Sequence, residues 1–373
     1  MRTVIKPLDY VAAISPYVPG KPIKELEREL GLSGCIKLAS NENPLGPSMK
    51  ALAALQGSLS TDVEMNRYPD GSGYYLKNAL SERLSKGRVL VAPEEIILGN
   101  GSNELIDIAV RTYIAFGDEA VMAAPSFVVY AMAVRSVGGK AIEVPLVDYR
   151  HDLEAMADAL TSRTKIVFVA NPNNPTGTMN TRDEFESFMR RIPEGVLVVV
   201  DEAYCEYVTN RSYPDSLTYF AEGREILILR TFSKAYGLAA LRIGYGIAQK
   251  QIVGEMNKIR APFNTSTVAQ VAALHALGDD EHVRRSVEIN EEGKRYLYGA
   301  LTSLGLSYAP TEANFVYLPL PFAAGDLYDA LLRKGVIVRP VGPRQVRVTI
   351  GLPEENSRFV EALRSVLPEM GSR

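Results

Sequence analysis

Four short apolar runs in the chain stop at residues able to do chemistry, and each ending is of a different kind. Residues 226–229 lead into Arg230-Thr231-Phe232-Ser233-Lys234-Ala235-Tyr236-Gly237, with Arg242 eight residues beyond the lysine. Two hydroxyls, a guanidinium and a primary amine make an anion site, and a lysine desolvated near other cations loses its proton readily and attacks carbonyls. Residues 196–200 stop at Asp201, followed by Glu202-Ala203-Tyr204. A carboxylate at the mouth of a buried strand is unfavourable without a cationic partner. Residues 96–98 give way to Gly99-Asn100-Gly101-Ser102-Asn103 and a helical pattern, and the unpaired N–H groups at a helix start can cradle a phosphate. Residues 166–170 run into Asn171-Pro172-Asn173-Asn174-Pro175-Thr176-Gly177, whose prolines stiffen a polar loop of the kind that positions a ligand.

Each ending has a plainer reading by itself: a solvated lysine, a structural ion pair or helix cap at Asp201, a strand-to-helix turn capped by Ser102, a simple turn at 171–177. Together they describe one ligand. It needs a phosphate, held by the 99–103 turn through Gly101, Ser102 and Asn103, with Thr231, Ser233 and Arg242. It also needs a carbonyl for Lys234 and a basic ring nitrogen to offset Asp201. Pyridoxal 5′-phosphate has all three, and enzymes that use it pair a lysine with an acidic partner for the ring nitrogen. An adenine dinucleotide leaves the lysine without a purpose.

Such endings must be brought together by a sheet whose ligand site lies outside the carboxyl ends of its strands. Apolar runs at 96–98, 120–123, 166–170, 196–200, 226–229 and 243–247 alternate with amphipathic stretches, the pattern of a mostly parallel sheet covered by helices on both faces. Leu105, Ile108, Ala109 and Thr112 keep a helical stripe. After about residue 262 the texture changes to a long charged helical stretch at 279–304, strands at 314–318, 336–338 and 346–350, and helices at 326–334 and near the carboxyl terminus. The expected architecture is a large α/β domain over 36–262. A smaller α+β domain is expected over 263–373, with residues 1–35 packed on it.

Composition bounds the rest. At 373 residues the chain has room for two domains at about 150 residues each. Its 41 Lys plus Arg against 44 Asp plus Glu give a net charge of −3, so no global basic field exists to hold nucleic acid or anionic lipid, and any anion must be held locally. Cys35 and Cys205 lie too far apart for a zinc motif and suit a reducing compartment, and the three histidines form no metal or triad pattern. Neither a secretory leader at residues 1–10 nor an apolar run long enough for a membrane span is present in the sequence, so a cytoplasmic location is expected.

The same residues carry a family resemblance. The chain resembles the fold type I pyridoxal-phosphate aminotransferases and, within them, the histidinol-phosphate aminotransferase family over nearly its whole length. The matching stretches are Ser40-Asn41-Glu42-Asn43-Pro44-Leu45-Gly46-Pro47, Arg67-Tyr68-Pro69-Asp70, residues 171–177, 201–204 and 231–242, and Val346-Arg347-Val348-Thr349-Ile350-Gly351. The resemblance implies a seven-stranded, mostly parallel sheet and a covalent link between Lys234 and the cofactor. It implies Asp201 on the ring nitrogen, Asn174 and Tyr204 on the ring hydroxyl, and Phe127 on the ring face. It further implies a homodimer in which Tyr68 reaches the neighbouring site's phosphate. Arg339 and Arg347 match two arginines that hold the substrate phosphate and the carboxylate of the oxo acid, with Tyr17 nearby. Arg344 reads as solvated surface, and Asn43 matches without a role. The implied reaction carries the amino group of L-histidinol phosphate to 2-oxoglutarate in histidine biosynthesis. The competing readings are an aromatic or broad-range aminotransferase, a phosphothreonine decarboxylase, a nicotinamide-dependent dehydrogenase and a non-catalytic cofactor-binding regulator.

Overall fold

Side chains alternate along the central strands between two apolar layers, and both layers are closed by helices. The computed structural model describes residues 5–17, 19–61, 66–87 and 89–370, so part of the 1–10 leader reading lies outside the described residues. The strands are β1 (Ile36–Lys37), β2 (Ile96–Gly99), β3 (Glu119–Ala124), β4 (Lys140–Pro145), β5 (Thr164–Ala170) and β6 (Leu197–Asp201). They continue with β7 (Ile226–Thr231), β8 (Gly244–Ala248), β9 (Phe315–Pro319), β10 (Val336–Ile337), β11 (Arg339–Gly342) and β12 (Gln345–Thr349). Seven of them form one sheet in the order β2-β8-β7-β6-β5-β3-β4. All of its pairings are parallel except the two made by β8, which runs against β2 and β7.

Val167, Val169, Val198, Val200, Ile226 and Ile228 pack in one core, while Ile166, Phe168, Leu197, Val199, Leu227 and Leu229 pack in the other. This period-2 sorting is why the runs read as continuous apolar stretches in sequence: neither face meets water. Strand β4 escapes a reading by apolar runs because it is an edge strand, with Lys140, Glu143 and Pro145 exposed.

A three-stranded antiparallel sheet, β11-β12-β9, forms a second body. Its core gathers Leu297 and Leu301 of the helix Asp280–Ser303, Leu327 and Leu331 of Ala324–Arg333, and Phe359 and Leu363 of Pro353–Met370. The two-residue ladder β1–β10 attaches the segment before residue 38 to this body, and Leu38 enters its core.

Two details differ from the expected packing. Ala269, Ala272, Ala273 and Ala276 of the helix Thr267–Leu277 belong to the large sheet's core, so that core extends past residue 262. Small side chains on this helix permit close approach to Met49–Thr61. The first 35 residues do not all pack on the smaller body. The helix Ile23–Leu30 does so, placing Leu26 in a cluster with Ile337, but the short helix Asp9–Ala12 rests on Val129–Ser136 of the large body, with the Tyr10 and Phe116 rings 6.0 Å apart.

Candidate active site

The register of the large sheet brings the four endings to one edge. Ala170 pairs with Asp201 across β5 and β6, and Gly244 of β8 lies between Gly99 of β2 and Thr231 of β7. Gly244 must lack a side chain, because a Cβ there would lie 2.5 Å from the Ser102 backbone nitrogen. The helix Gly101–Tyr113 therefore starts directly beside the end of β7. Its first residue, Gly101, has φ +69°, and a Cβ on it would meet Arg242 Nη2 at 2.8 Å. Arg242 itself sits at φ +54°, an unfavourable backbone for arginine. Its Nη1 donates to Ser233 Oγ at 3.3 Å and to the Ala239 carbonyl at 3.0 Å. Thr231 Oγ1 accepts the Ser233 N–H at 3.1 Å. Hydroxyls, a guanidinium and a helix start thus converge on one point, which is the donor set a phosphate monoester requires.

A cavity of about 690 Å³ opens from that point between the two bodies. Tyr17, Phe127, Asn174, Asp201, Tyr204, Lys234, Arg339 and Arg347 line it together with the phosphate turn, so the structure gathers every proposed site residue except Tyr68. Asp201 is buried and has no ion-pair partner among the described residues. Burial pushes its carboxyl above the ordinary range, while hydrogen bonds from Tyr130 Oη to Oδ2 at 2.7 Å and from the Ala203 N–H to Oδ1 at 3.1 Å oppose that shift. An unpaired buried carboxylate facing a cavity fits a cationic ring nitrogen.

Lys234 projects into the same space, 5.6 Å from the Tyr204 ring centre, and its Nζ donates to the Ser40 carbonyl at 3.3 Å. Burial, then the charge of Arg347, lowers its pKa from 10.5 to about 7, which favours the free amine far more than in an exposed lysine. This is the condition for nucleophilic attack on an aldehyde.

The second body contributes the opposite wall. Arg339 and Arg347 are direct partners in the β11–β12 ladder, which puts their side chains on the same face of that sheet. Arg347 stacks over Phe315 at 5.3 Å and donates to Asn174 Oδ1 at 2.5 Å and to the Ala39 carbonyl at 2.8 Å. Its Nε is buried without a partner, an orphaned donor on a charged group. Arg339 stacks on Tyr17 at 5.4 Å. Arg344 is exposed, as expected.

Several positioning residues escaped the sequence reading. Tyr130, fully buried and stacked on Phe168 at 4.7 Å, looks like core packing in sequence, yet it donates to Asp201. The only hint was its position three residues after Phe127, one helical turn on. Asn41 Nδ2 donates to Tyr204 Oη at 2.9 Å. Asn43, whose role was open, donates to the Ala235 carbonyl and to Ser286 Oγ, both at 2.8 Å, and so braces the residue after Lys234. Tyr68 lies away from this cavity, 82% exposed and stacked on Phe263 at 4.7 Å.

Residues 33–363 match the family described as Aminotransferase class I and II. The chain belongs to this aminotransferase family. It is 50% identical to the histidinol-phosphate aminotransferase of Moorella thermoacetica, over 98% of this chain and 94% of that protein. It is 47% identical to histidinol-phosphate aminotransferase 2 of Hydrogenovibrio crunogenus, over 96% of each chain. Among solved structures, the fold superimposes with TM-score 0.88 on a histidinol-phosphate aminotransferase from Sinorhizobium meliloti in complex with pyridoxal-5′-phosphate, at 27% identity and covering 98% of this chain and 99% of that one. A Thermus thermophilus aspartate aminotransferase mutant gives TM-score 0.84 at 25% identity, covering 97% and 100% of the two chains. Aminotransferases named for different substrates therefore share this backbone, and substrate choice rests on side chains.

Proposed function

We propose that the chain is a cytoplasmic, homodimeric aminotransferase that uses pyridoxal 5′-phosphate to move the amino group of L-histidinol phosphate to 2-oxoglutarate, giving imidazole acetol phosphate and L-glutamate in histidine biosynthesis. The observation that carries this reading is the opposition, across one cavity, of Lys234 with Asp201 on one wall and the Arg339–Arg347 pair on the other. Relatives at 47–50% identity bearing that substrate's name support the choice of amine.

The bound cofactor supplies a carbonyl for capture of the amine and an electron sink in its ring. Gly101, Ser102, Asn103, Thr231, Ser233 and Arg242 would hold its phosphate. Asp201, steadied by Tyr130, would keep a proton on the ring nitrogen. Asn174 and Tyr204 would bond the ring hydroxyl, and Phe127 would cover the ring face. Lys234 would hold the cofactor's aldehyde and, as a free amine, would serve as the base that takes the proton from the substrate α-carbon and as the acid that gives it back. The guanidinium groups of Arg347 and Arg339 would bind the substrate phosphate and, in the second half of the cycle, a carboxylate of the oxo acid, aided by Tyr17.

We assign the large domain to 36–262 extended by the helix Thr267–Leu277, and the small domain to the remaining carboxyl-terminal residues with the Ile23–Leu30 segment. Free Cys35 and Cys205 suit a cytoplasmic setting. The exposed Tyr68 suits a residue lent to a partner subunit's phosphate.

An amine-donor panel tests the reading. Histidinol phosphate should give a kcat/KM at least tenfold above that of phenylalanine or tyrosine with 2-oxoglutarate as acceptor. Preference for the aromatic donors would assign a broad-range aminotransferase, and CO2 release from phosphothreonine would assign a decarboxylase.

A further inference from the structure

Behind the phosphate turn, outside the cavity lining, a carboxylate and an amide are joined in a closed set of hydrogen bonds. Glu104 lies in the first turn of the helix Gly101–Tyr113 and reaches back over its start. Its Oε2 accepts the Asn100 N–H at 2.7 Å and its Oε1 accepts Asn100 Nδ2 at 3.2 Å. Asn264 Nδ2 donates to the same Glu104 Oε2 at 2.6 Å and to the Leu98 carbonyl at 3.1 Å, using both of its protons. The Asn264 backbone carbonyl accepts from Asn100 Nδ2 at 2.7 Å. Asn264 Oδ1 accepts from Arg260 Nη1 at 2.7 Å, and Arg260 Nη2 donates to the Gly71 carbonyl at 3.0 Å. The preceding Phe263, at φ +56°, carries the stack on Tyr68.

A negative charge at this place needs an explanation. Glu104 follows Asn103 directly, so a phosphate on the 101–103 turn would feel its repulsion. What the carboxylate offers in return is acceptors: three donors from Asn100 and Asn264 end on it, and charge-assisted bonds are the strong ones. They hold Asn100, the residue from which the chain turns into the positive φ of Gly101.

We infer that Glu104 and Asn264 are positioning residues which fix the phosphate-binding turn and fasten it to the turn bearing Tyr68, so that affinity for the cofactor's phosphate depends on two residues that do not touch it. This rests on the reading that pyridoxal 5′-phosphate places its phosphate on the 101–103 turn. The role is specific to the phosphate, and a general loss of structure would not be.

The test compares binding of pyridoxal 5′-phosphate and of pyridoxal, which lacks the phosphate, to cofactor-free full-length protein, followed by visible absorbance. In Asn264→Ala the dissociation constant for pyridoxal 5′-phosphate should rise about tenfold while that for pyridoxal stays within about twofold. Glu104→Gln should act in the same direction, and the double variant should lose less than the product of the two single losses, because both act through Asn100. An unchanged ratio of the two affinities in both single variants overturns the inference. So does tighter pyridoxal 5′-phosphate binding in Glu104→Gln, which would make repulsion the governing effect. If Asn264→Ala does not fold, Glu104→Gln decides alone. Wild-type protein without a preference for the phosphorylated ligand would overturn the reading of the site itself, and the inference with it.

Discussion

Lys234 and Asp201 are displaced from their ordinary ionisation by the same cause, burial beside a cavity, in opposite directions: the shift of Lys234 favours the free amine its part needs, whereas that of Asp201 works against the carboxylate its part needs and is opposed by Tyr130 and the Ala203 N–H. Burial and the Arg347 charge bring the lysine to about 7. A lowered pKa means the reactive neutral amine appears as pH rises through about 7, not through 10.5. The rate at which cofactor-free protein captures pyridoxal 5′-phosphate should therefore climb between about pH 6 and 8 and then level off, as stopped-flow absorbance would show. A climb continuing to pH 10 would mean an ordinary lysine. For Asp201 the sign is reversed: burial raises its pKa, and the Tyr130 hydrogen bond lowers it. Tyr130→Phe removes the restraint, so Asp201 should hold a proton to higher pH and pair less well with a ring nitrogen. The expected loss is about 1.5–3 kcal/mol in cofactor binding, ten- to a hundredfold in the dissociation constant, the range for a hydrogen bond to a charged group. Tyr130→Phe with wild-type affinity would return Tyr130 to core packing alone.

At the scale of elements, the site depends on loops pressed closer than side chains allow. Gly237, at φ +70°, follows the lysine loop, and a Cβ there would run into the Gly46 carbonyl. Gly237→Ala should lower stability by about 3 kcal/mol or more, from left-handed strain added to a backbone collision, and calorimetry would register the drop in Tm. The β11–β12 ladder makes a second prediction. Because Arg339 and Arg347 share a rung, Arg347→Ala should reduce kcat/KM for the oxo acid by about 2–5 kcal/mol, while Arg344→Ala, exposed in the turn between β11 and β12, should leave it unchanged within about twofold. Equal losses in the two variants would contradict the ladder geometry. This scale also shows what sequence could reveal. The central strands were legible because both their faces are buried and their apolar runs unbroken. Lys234, Asp201 and the glycine turn were legible because chemistry follows directly on such runs. Edge strand β4 was not, since Lys140 and Glu143 interrupt it. Strand β11 was not either, since Pro340 and Gly342 lie within its four residues. Tyr130, Asn41 and Asn264 stayed hidden for another reason: their partners are 71, 163 and 160 residues away, and only the folded chain defines those pairs.

For the whole molecule, the two bodies meet around the cavity, and the segment from Ile36 to Asn43 runs from one to the other, with the Leu38 carbonyl on Thr349, Asn41 on Tyr204 and Asn43 on Ala235. The proposed homodimer adds a prediction at this scale. Lys234→Ala and Tyr68→Ala chains, each impaired alone, should regain about a quarter of wild-type activity when mixed through subunit exchange, because half of the dimers are hybrids with one intact site of two. No recovery would mean that Tyr68 serves its own subunit or none. The account as a whole stands on Lys234 being the residue that takes the cofactor's aldehyde. Borohydride reduction of the protein loaded with pyridoxal 5′-phosphate, followed by peptide mass mapping, should place a single phosphopyridoxyl group on the peptide containing Lys234 and remove it in Lys234→Ala. A label on another lysine, or one that persists undiminished in Lys234→Ala, would contradict it.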